Sequence, residues 1–229
     1  MRLIGGNSVV LKSFADWILQ IGDGVVGDDE DGESMIEIPQ TFLAPFISNP
    51  IESIVSCTYP DILENGTNPS YLTSRAILAP TIEDVDMINN YMLSLNTSEE
   101  KIYLSSDLAS SFDSEIKLLD EIHSLEILNG IRCSGVPAHE IRLKVGVPVM
   151  LMRNINFSSG LCNGTRLIVT RHGDNIIEAQ ILTETNDGKV YIPRLTLTPS
   201  GVRLTFMFQR RQLPLVVSYT MTVNKSQGQ

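Results

Sequence analysis

The sequence predicts a mixed α/β fold in which a parallel strand–helix unit is interrupted by a small antiparallel β-barrel. Three observations predict it. Residues 75–95 read as a buried strand, a tight turn and a capped amphipathic helix, the repeating element of a parallel α/β sheet. After residue 135 the pattern changes to short alternating strands separated by turn residues, the spacing of a small barrel. Residues 213–220 (LPLVVSYT) then form a continuous apolar run, which suits a central strand covered on both faces and returns the chain to the α/β sheet.

Each element follows from its pattern. Phe14, Trp17, Ile18 and Ile21 recur at helical spacing and Gly22 suits a C-cap, so residues 13–21 read as a short amphipathic helix. Residues 22–33 (GDGVVGDDEDGE) follow as an acidic, glycine-rich linker. An EF-hand frame fails there, because placing Gly32 at the loop glycine puts Gly27 where the first carboxylate ligand belongs. Ile51, Ile54 and Val55 suggest a second short helix, ended by Tyr59-Pro60.

Residues 75–79 (RAILA) form a strand that Pro80 ends. Thr81 with Asp84 makes a capping box ahead of Ile82, Val85, Ile88, Met92 and Leu95. Their turn lies at the strand's carboxyl end, where such sheets bind ligands. Leu143, Val145, Val147, Val149 and Leu151 alternate strictly, with Gly146 and Pro148 marking a bend or an edge. Residues 167–171, 176–183 and 190–192 read as further strands, with Gly173-Asp174 and Asp187-Gly188 as hairpin turns, and Leu204, Phe206 and Phe208 alternate again.

Composition narrows the classes of function. A chain of 229 residues with 42% hydrophobic content holds one or two ordinary globular domains. No apolar run approaches the ~18 residues of a membrane span. Gly5, Gly6, Asn7 and Ser8 break up any signal-peptide core behind Arg2. Cys57, Cys133 and Cys162 are odd in number and contain no CxxC pair, which argues against a disulfide framework or zinc site and for a reducing compartment. His123, His139 and His172 have no ligand spacing and read as surface or turn residues.

The net charge of −10 argues against a nucleic-acid partner, but its distribution does not. Residues 1–135 carry 6 Lys and Arg against 22 Asp and Glu, whereas residues 136–229 carry 11 against 5. The basic half can serve as a phosphate footprint, or both halves can be solvated surface.

The chemistry concentrates in residues 222–229 (TVNKSQGQ). Behind a buried strand, Thr222 and Gln227 can hydrogen-bond phosphate oxygens and Lys225 supplies a compact positive charge. Gly228 lets the main chain approach closely. On its own the pattern is weak and better describes a solvated capping turn. It is not a P-loop, because Asn224 stands where glycine must precede the lysine, and no G-x-x-x-x-G-K-[ST] occurs in the 229 residues.

The tail SYTMTVNKSQGQ resembles the fifth conserved motif of Pif-type DNA helicases, the 5′-to-3′ branch of helicase superfamily one. Three further stretches agree in order. Residues 75–89 (RAILAPTIEDVDMIN) resemble the strand–loop–helix of the family's second motor domain. Residues 143–169 (LKVGVPVMLMRNINFSSGLCNGTRLIV) are similar to its inserted SH3-like barrel, and residues 14–24 (FADWILQIGDG) to the segment joining the two motor domains. Met1-Arg2-Leu3 is similar to the end of the motif whose arginine reaches the ATP γ-phosphate. The flavour is that of helicases carried by Helitron transposons.

The resemblance implies a second RecA-like motor domain of the P-loop NTPase type, incomplete, with an inserted SH3-like barrel. Residues 1–60 are then a remnant of the first motor domain and linker, 61–130 the first part of the second, 131–212 the barrel, and 213–229 the truncated return. Thr222, Lys225 and Gln227 are expected to hold the DNA backbone, with Pro80 and Thr81 as a second contact. Arg153, Asn154, Asn163 and Gly164 line the DNA exit or only shape turns. Arg2, Gly228 and Gln229 are the expected nucleotide contacts, although Arg2 reads equally as a loose terminal arginine.

ATP and Mg²⁺ are expected to be held mainly by a first motor domain outside this chain, so the chain alone is not expected to hydrolyse ATP. The implied activity of the whole enzyme is unwinding in replication, repair, recombination, telomere maintenance or transposition. Single-stranded DNA and DNA forks are the implied partners, and the nucleus, or alternatively the mitochondrion, the implied compartment. The competing reading is a stand-alone single-strand-binding or regulatory module that has lost the motor.

Overall fold

The computed structural model describes residues 8–26, 35–47, 49–110, 125–133, 135–182, 188–199 and 206–226. The chain forms two units, Met1–Pro45 and Phe46–Gln229.

In the first unit the helical pattern gives α1 (Ser8–Gly22). Its cap is not Gly22. Gly24 adopts φ +69°, and the paired bonds Gly24 N–H to Ile21 O (3.1 Å) and Val25 N–H to Gln20 O (2.9 Å) close a Schellman turn. The left-handed position therefore falls two residues later than the periodicity suggests. The apolar face of α1 packs on a 3₁₀ turn, Gln40–Phe42: the rings of Phe14 and Trp17 lie 4.9 and 5.8 Å from that of Phe42. Most of the expected acidic linker lies outside the described residues.

The second unit opens with three short helices, α2 (Pro50–Thr58), α3 (Ile62–Asn65) and α4 (Pro69–Thr73). Asn49 and Asn68 cap α2 and α4 through their side-chain oxygens, and Pro50 and Pro69 begin those helices without forfeiting a hydrogen bond. Strand β1 (Ile77–Ala79) leads into α5 (Ile82–Leu95). The N-cap half of the expected capping box forms, with Thr81 Oγ1 accepting from Asp84 N–H at 3.1 Å, while the Asp84 carboxylate accepts from the Thr81 hydroxyl. Val85, Ile88 and Met92 are buried, but Ile82 is 60% exposed.

The antiparallel part comprises β2 (Glu100–Leu104), β3 (Ser106–Ser110), β4 (Glu140–Lys144), β5 (Pro148–Leu151), β6 (Arg166–His172), β7 (Ile176–Ile181), β8 (Lys189–Pro193), β9 (Leu195–Leu197), β10 (Met207–Gln212) and β11 (Leu215–Val217), with α6 (Leu125–Gly130) between β3 and β4. Its main sheet runs β11-β5-β6-β7-β8, beside the pair β2-β4 and the triplet β3-β10-β9. The bend expected at Gly146 separates β4 from β5: Gly146 has φ +86°, and a Cβ there would meet Thr67 Cγ2 at 2.7 Å. Strands β2 and β3 were not legible as such, and β3 owes its place to a buried ion pair. Arg210 stands opposite Asp107 in the β10–β3 register, and both side chains are 1% exposed. The guanidinium donates to both Asp107 oxygens and to the carbonyls of Leu128, Ile131 and Pro137, which satisfies all its donors.

The apolar run 213–220 is divided. Leu215–Val217 pairs antiparallel with β5, whereas β12 (Thr220–Thr222) pairs parallel with β1. Ser218 and Tyr219 make the crossing, Ser218 N–H binding Pro148 O and Tyr219 O accepting from Ile77 N–H. A run apolar on both faces thus serves two sheets in turn instead of one central strand. Leu78 at the middle of β1 is 51% exposed whereas its register partner Met221 is buried, so the outer face of this parallel pair is covered over β12 and open over β1. One core joins the halves: Tyr59, Leu72, Ile77, Ile88 and Met92 belong to the same cluster as Val149, Leu167, Ile177 and Leu215.

Candidate nucleic-acid interface

The parallel pairing fixes the site. With Ile77 opposite Thr220 and Ala79 opposite Thr222, both strands end at one edge, and Pro80-Thr81 and the tail leave side by side. That carboxyl edge is where open α/β sheets take ligands.

On one side, Pro80 and Thr81 are exposed. Thr81 is committed to its helix, because its hydroxyl donates to Asp84 Oδ2 at 2.7 Å while accepting from Asp84 N–H. Glu83 and Asp84 already occupy the electropositive end of α5. The stronger anion-binding character lies on the other side.

There, Thr222 Oγ1 accepts from Lys225 N–H at 3.3 Å and caps α7 (Val223–Ser226), which turns Lys225 back toward the antiparallel sheet. Its Nζ donates to Asn163 Oδ1 at 2.7 Å, and Asn163 N–H in turn binds Asn154 Oδ1 at 2.7 Å. Gly164 follows at φ +94°, its N–H bound to Leu151 O, so the turn needs glycine there. Asn154 and Gly164 hold the turn, while Asn163 both shapes it and grips the lysine. Burial pushes the Lys225 ammonium below the ordinary lysine range. Among the described residues no carboxylate stands within ion-pair distance of it.

Arg153 is placed differently: its guanidinium donates to Gly135 O and Thr198 O at 3.1 Å each and straps two loops together. Arg2, Gln227, Gly228 and Gln229 lie outside the described residues. No cluster of His, Cys, Asp or Glu able to hold a metal occurs among the described residues.

Two supporting residues escaped the sequence reading. Asn89, in the buried face of α5, donates to Val217 O and Thr220 O and accepts from Thr220 N–H at 2.9 Å, pinning the crossing and the start of β12. A polar residue between Ile88 and Met92 was the available signal. Arg166 donates to Leu72 O and Ser218 O, each at 3.1 Å, and burial lowers its pKa. Nothing in its local pattern separates it from a surface arginine.

The family model for the DNA helicase Pif1 2B domain matches residues 126–172, which include Arg153, Asn154, Asn163 and Gly164. The human ATP-dependent DNA helicase PIF1 is 33% identical over 91 residues, 38% of this chain and 14% of that protein. Its rat counterpart is 27% identical over 133 residues, 53% of this chain and 20% of that protein. A Bacteroides Pif1 helicase solved in complex with ADP-AlF3 and ssDNA superposes with a TM-score of 0.48 at 22% identity, over 73% of this chain and 36% of that one. The matches span only a small part of the length of the curated relatives. Residues 126–172 are thus similar to the Pif1 2B domain, and part of the chain is similar to the ATP-dependent DNA helicases PIF1 of human and rat.

Proposed function

We propose that this chain supplies the single-strand-holding part of an ATP-dependent 5′-to-3′ DNA helicase, acting on single strands and forks in the nucleus. In this reading the β1–α5 and β12–α7 segments belong to a second RecA-like motor domain, and residues 131–212 form its inserted SH3-like barrel. The observation that carries it is the chain of contacts Lys225–Asn163–Asn154, which ties a half-buried cation at the sheet's carboxyl edge to the matched 2B segment.

Phosphate binding follows from the local chemistry. A half-buried ammonium held by one neutral acceptor gains from an arriving phosphate, which replaces an amide dipole with a full charge. Thr222 offers a hydroxyl beside it. ATP with Mg²⁺ would supply the driving chemistry; Arg2, Gly228 and Gln229 are the proposed contacts from this chain, with the first motor domain holding most of the nucleotide.

The test is single-strand binding by the 229-residue chain across a salt series. Lys225→Ala is expected to weaken binding almost equally for all sequences and to reduce the salt slope by about one unit. An unchanged slope and affinity would sink the role given to Lys225. The sequence contains no G-x-x-x-x-G-K-[ST], which is equally compatible with a second reading, a binding module without its own ATPase. A chain that binds DNA yet hydrolyses no ATP, even when mixed with a Pif-type first motor domain, would support that alternative.

A further inference from the structure

The hairpin that carries Asn154 and Asn163 has an unexplained tip. Asn156 and Leu161 form an isolated bridge, and Phe157 O accepts from Gly160 N–H at 3.1 Å, with Gly160 at φ +72°. Asn156 Oδ1 also accepts from Ser158 N–H and from the Ser158 hydroxyl. The backbone on both sides of Phe157 is therefore fixed, while its side chain is 73% exposed. Leu161 of the bridge and Ile155 beside it pack inward with the core. The loop is ordered so as to hold a phenyl ring in solvent.

Two further features bear on what covers that ring. The surrounding tip residues, Asn156, Ser158, Ser159 and Gly160, are all exposed and none is apolar or charged. A protein-docking site would ring the phenyl with apolar surface, whereas a flat π-surface among small polar groups suits a nucleobase. Residues 141–173 also contain five cations (Arg142, Lys144, Arg153, Arg166 and Arg171) and no Asp or Glu, within a chain of net charge −10. Of these, Arg142 is paired with Glu140, and Lys144, Arg153 and Arg166 donate to backbone carbonyls, so the charge that the hairpin offers a polyanion is chiefly that of Lys225, held at its base by Asn163.

We propose that Phe157 is a stacking platform for an unpaired base of the single strand whose phosphates lie on Thr222 and Lys225. The proposal rests on the DNA-holding reading above. The connection is structural: the base of the hairpin is the Asn154–Asn163 contact, and Asn163 grips Lys225. The tip stands three residues along the strand from Asn154, roughly 10 Å in extended chain. A strand held by its phosphates at Lys225 thus brings a base within reach of the ring. Stacking of this kind tolerates any base, because each presents a π-face.

The experiment compares two probes on the 229-residue chain: a thymidine oligonucleotide and an abasic oligonucleotide of the same length, which keeps the phosphates and lacks the bases. Phe157→Ala is expected to weaken thymidine binding about 5- to 150-fold while leaving abasic binding unchanged. Phe157→Trp should retain thymidine affinity, and its indole emission should be quenched on binding. Lys225→Ala should weaken both probes. Equal behaviour of Phe157→Ala and the parent chain on both probes overturns the stacking role. So does a change in self-association with thymidine affinity unmoved, which would make the ring a protein contact. If Phe157→Ala loses thymidine binding alone while Lys225→Ala changes neither probe, the stacking stands and the phosphate role of Lys225 falls. Failure of the parent chain to bind either probe overturns both.

Discussion

Lys225 is held in place by a neutral partner, and that choice has consequences. An amide oxygen orients the ammonium at 2.7 Å without neutralising it, so the charge remains available to a ligand. Asn163→Asp would replace the amide with a carboxylate at nearly the same volume and create an ion pair. Single-strand affinity is expected to fall at low salt while thermal stability holds or rises, as followed by fluorescence anisotropy and a melting curve. Unaltered affinity would show that the Lys225 charge is not read by the DNA. The sequence placed Lys225 and Asn163 as separate candidates. It did not reveal that they touch, because the contact is made by the fold and no local pattern encodes it.

At the scale of elements, legibility followed periodicity. Helix α5 and its cap, the bend at Gly146 and strands β5 to β8 were readable because alternation, capping and turn chemistry are local signals. Strands β2 and β3 were missed because one is half exposed and the other is held by Asp107, a residue that strand propensity disfavours. The crossing at Ser218-Tyr219 was missed for a different reason: an apolar run reports burial but not which sheet does the burying.

Asn89 bears on that crossing. Asn89→Ala leaves Thr220 N–H and two carbonyls without their partner in a buried setting, and is expected to lower stability by about 1–3 kcal/mol, measured as a shift in urea midpoint. Asn89→Asp should not rescue it, because the carboxylate supplies an acceptor but no donor for Val217 O and Thr220 O. Wild-type stability in both variants would remove Asn89 from the framework of the site.

For the whole second unit, the Asp107–Arg210 pair ties β3, β10 and the end of α6 together. Burial pushes the Asp107 carboxyl upward. The bonds from Arg210 and Ser105, with the charges of Arg210 and His139, outweigh it and hold the group below the ordinary carboxylate range. A depressed folded pKa means that this stabilisation is present above the unfolded value of about 3.9 and is lost as pH falls through the folded one. The melting temperature should therefore drop below about pH 4. Asp107→Asn should be less stable at pH 7 and show a shallower acid limb, readable by circular dichroism at a series of pH values. An acid limb identical to that of the parent would exclude Asp107 as a titrating support.

The pairing of β1 with β12 has one more consequence, in the order of assembly. Ile77 meets Thr220 across most of the second unit, so this pair has among the longest sequence separations in the fold. Contacts of that kind close late, after the intervening local hairpins have formed. During synthesis the partner strand also leaves the ribosome after every strand of the antiparallel sheet. Lys225 therefore reaches Asn163 only when the rest of the unit is in place, and an incompletely folded chain lacks the assembled Lys225–Asn163 contact.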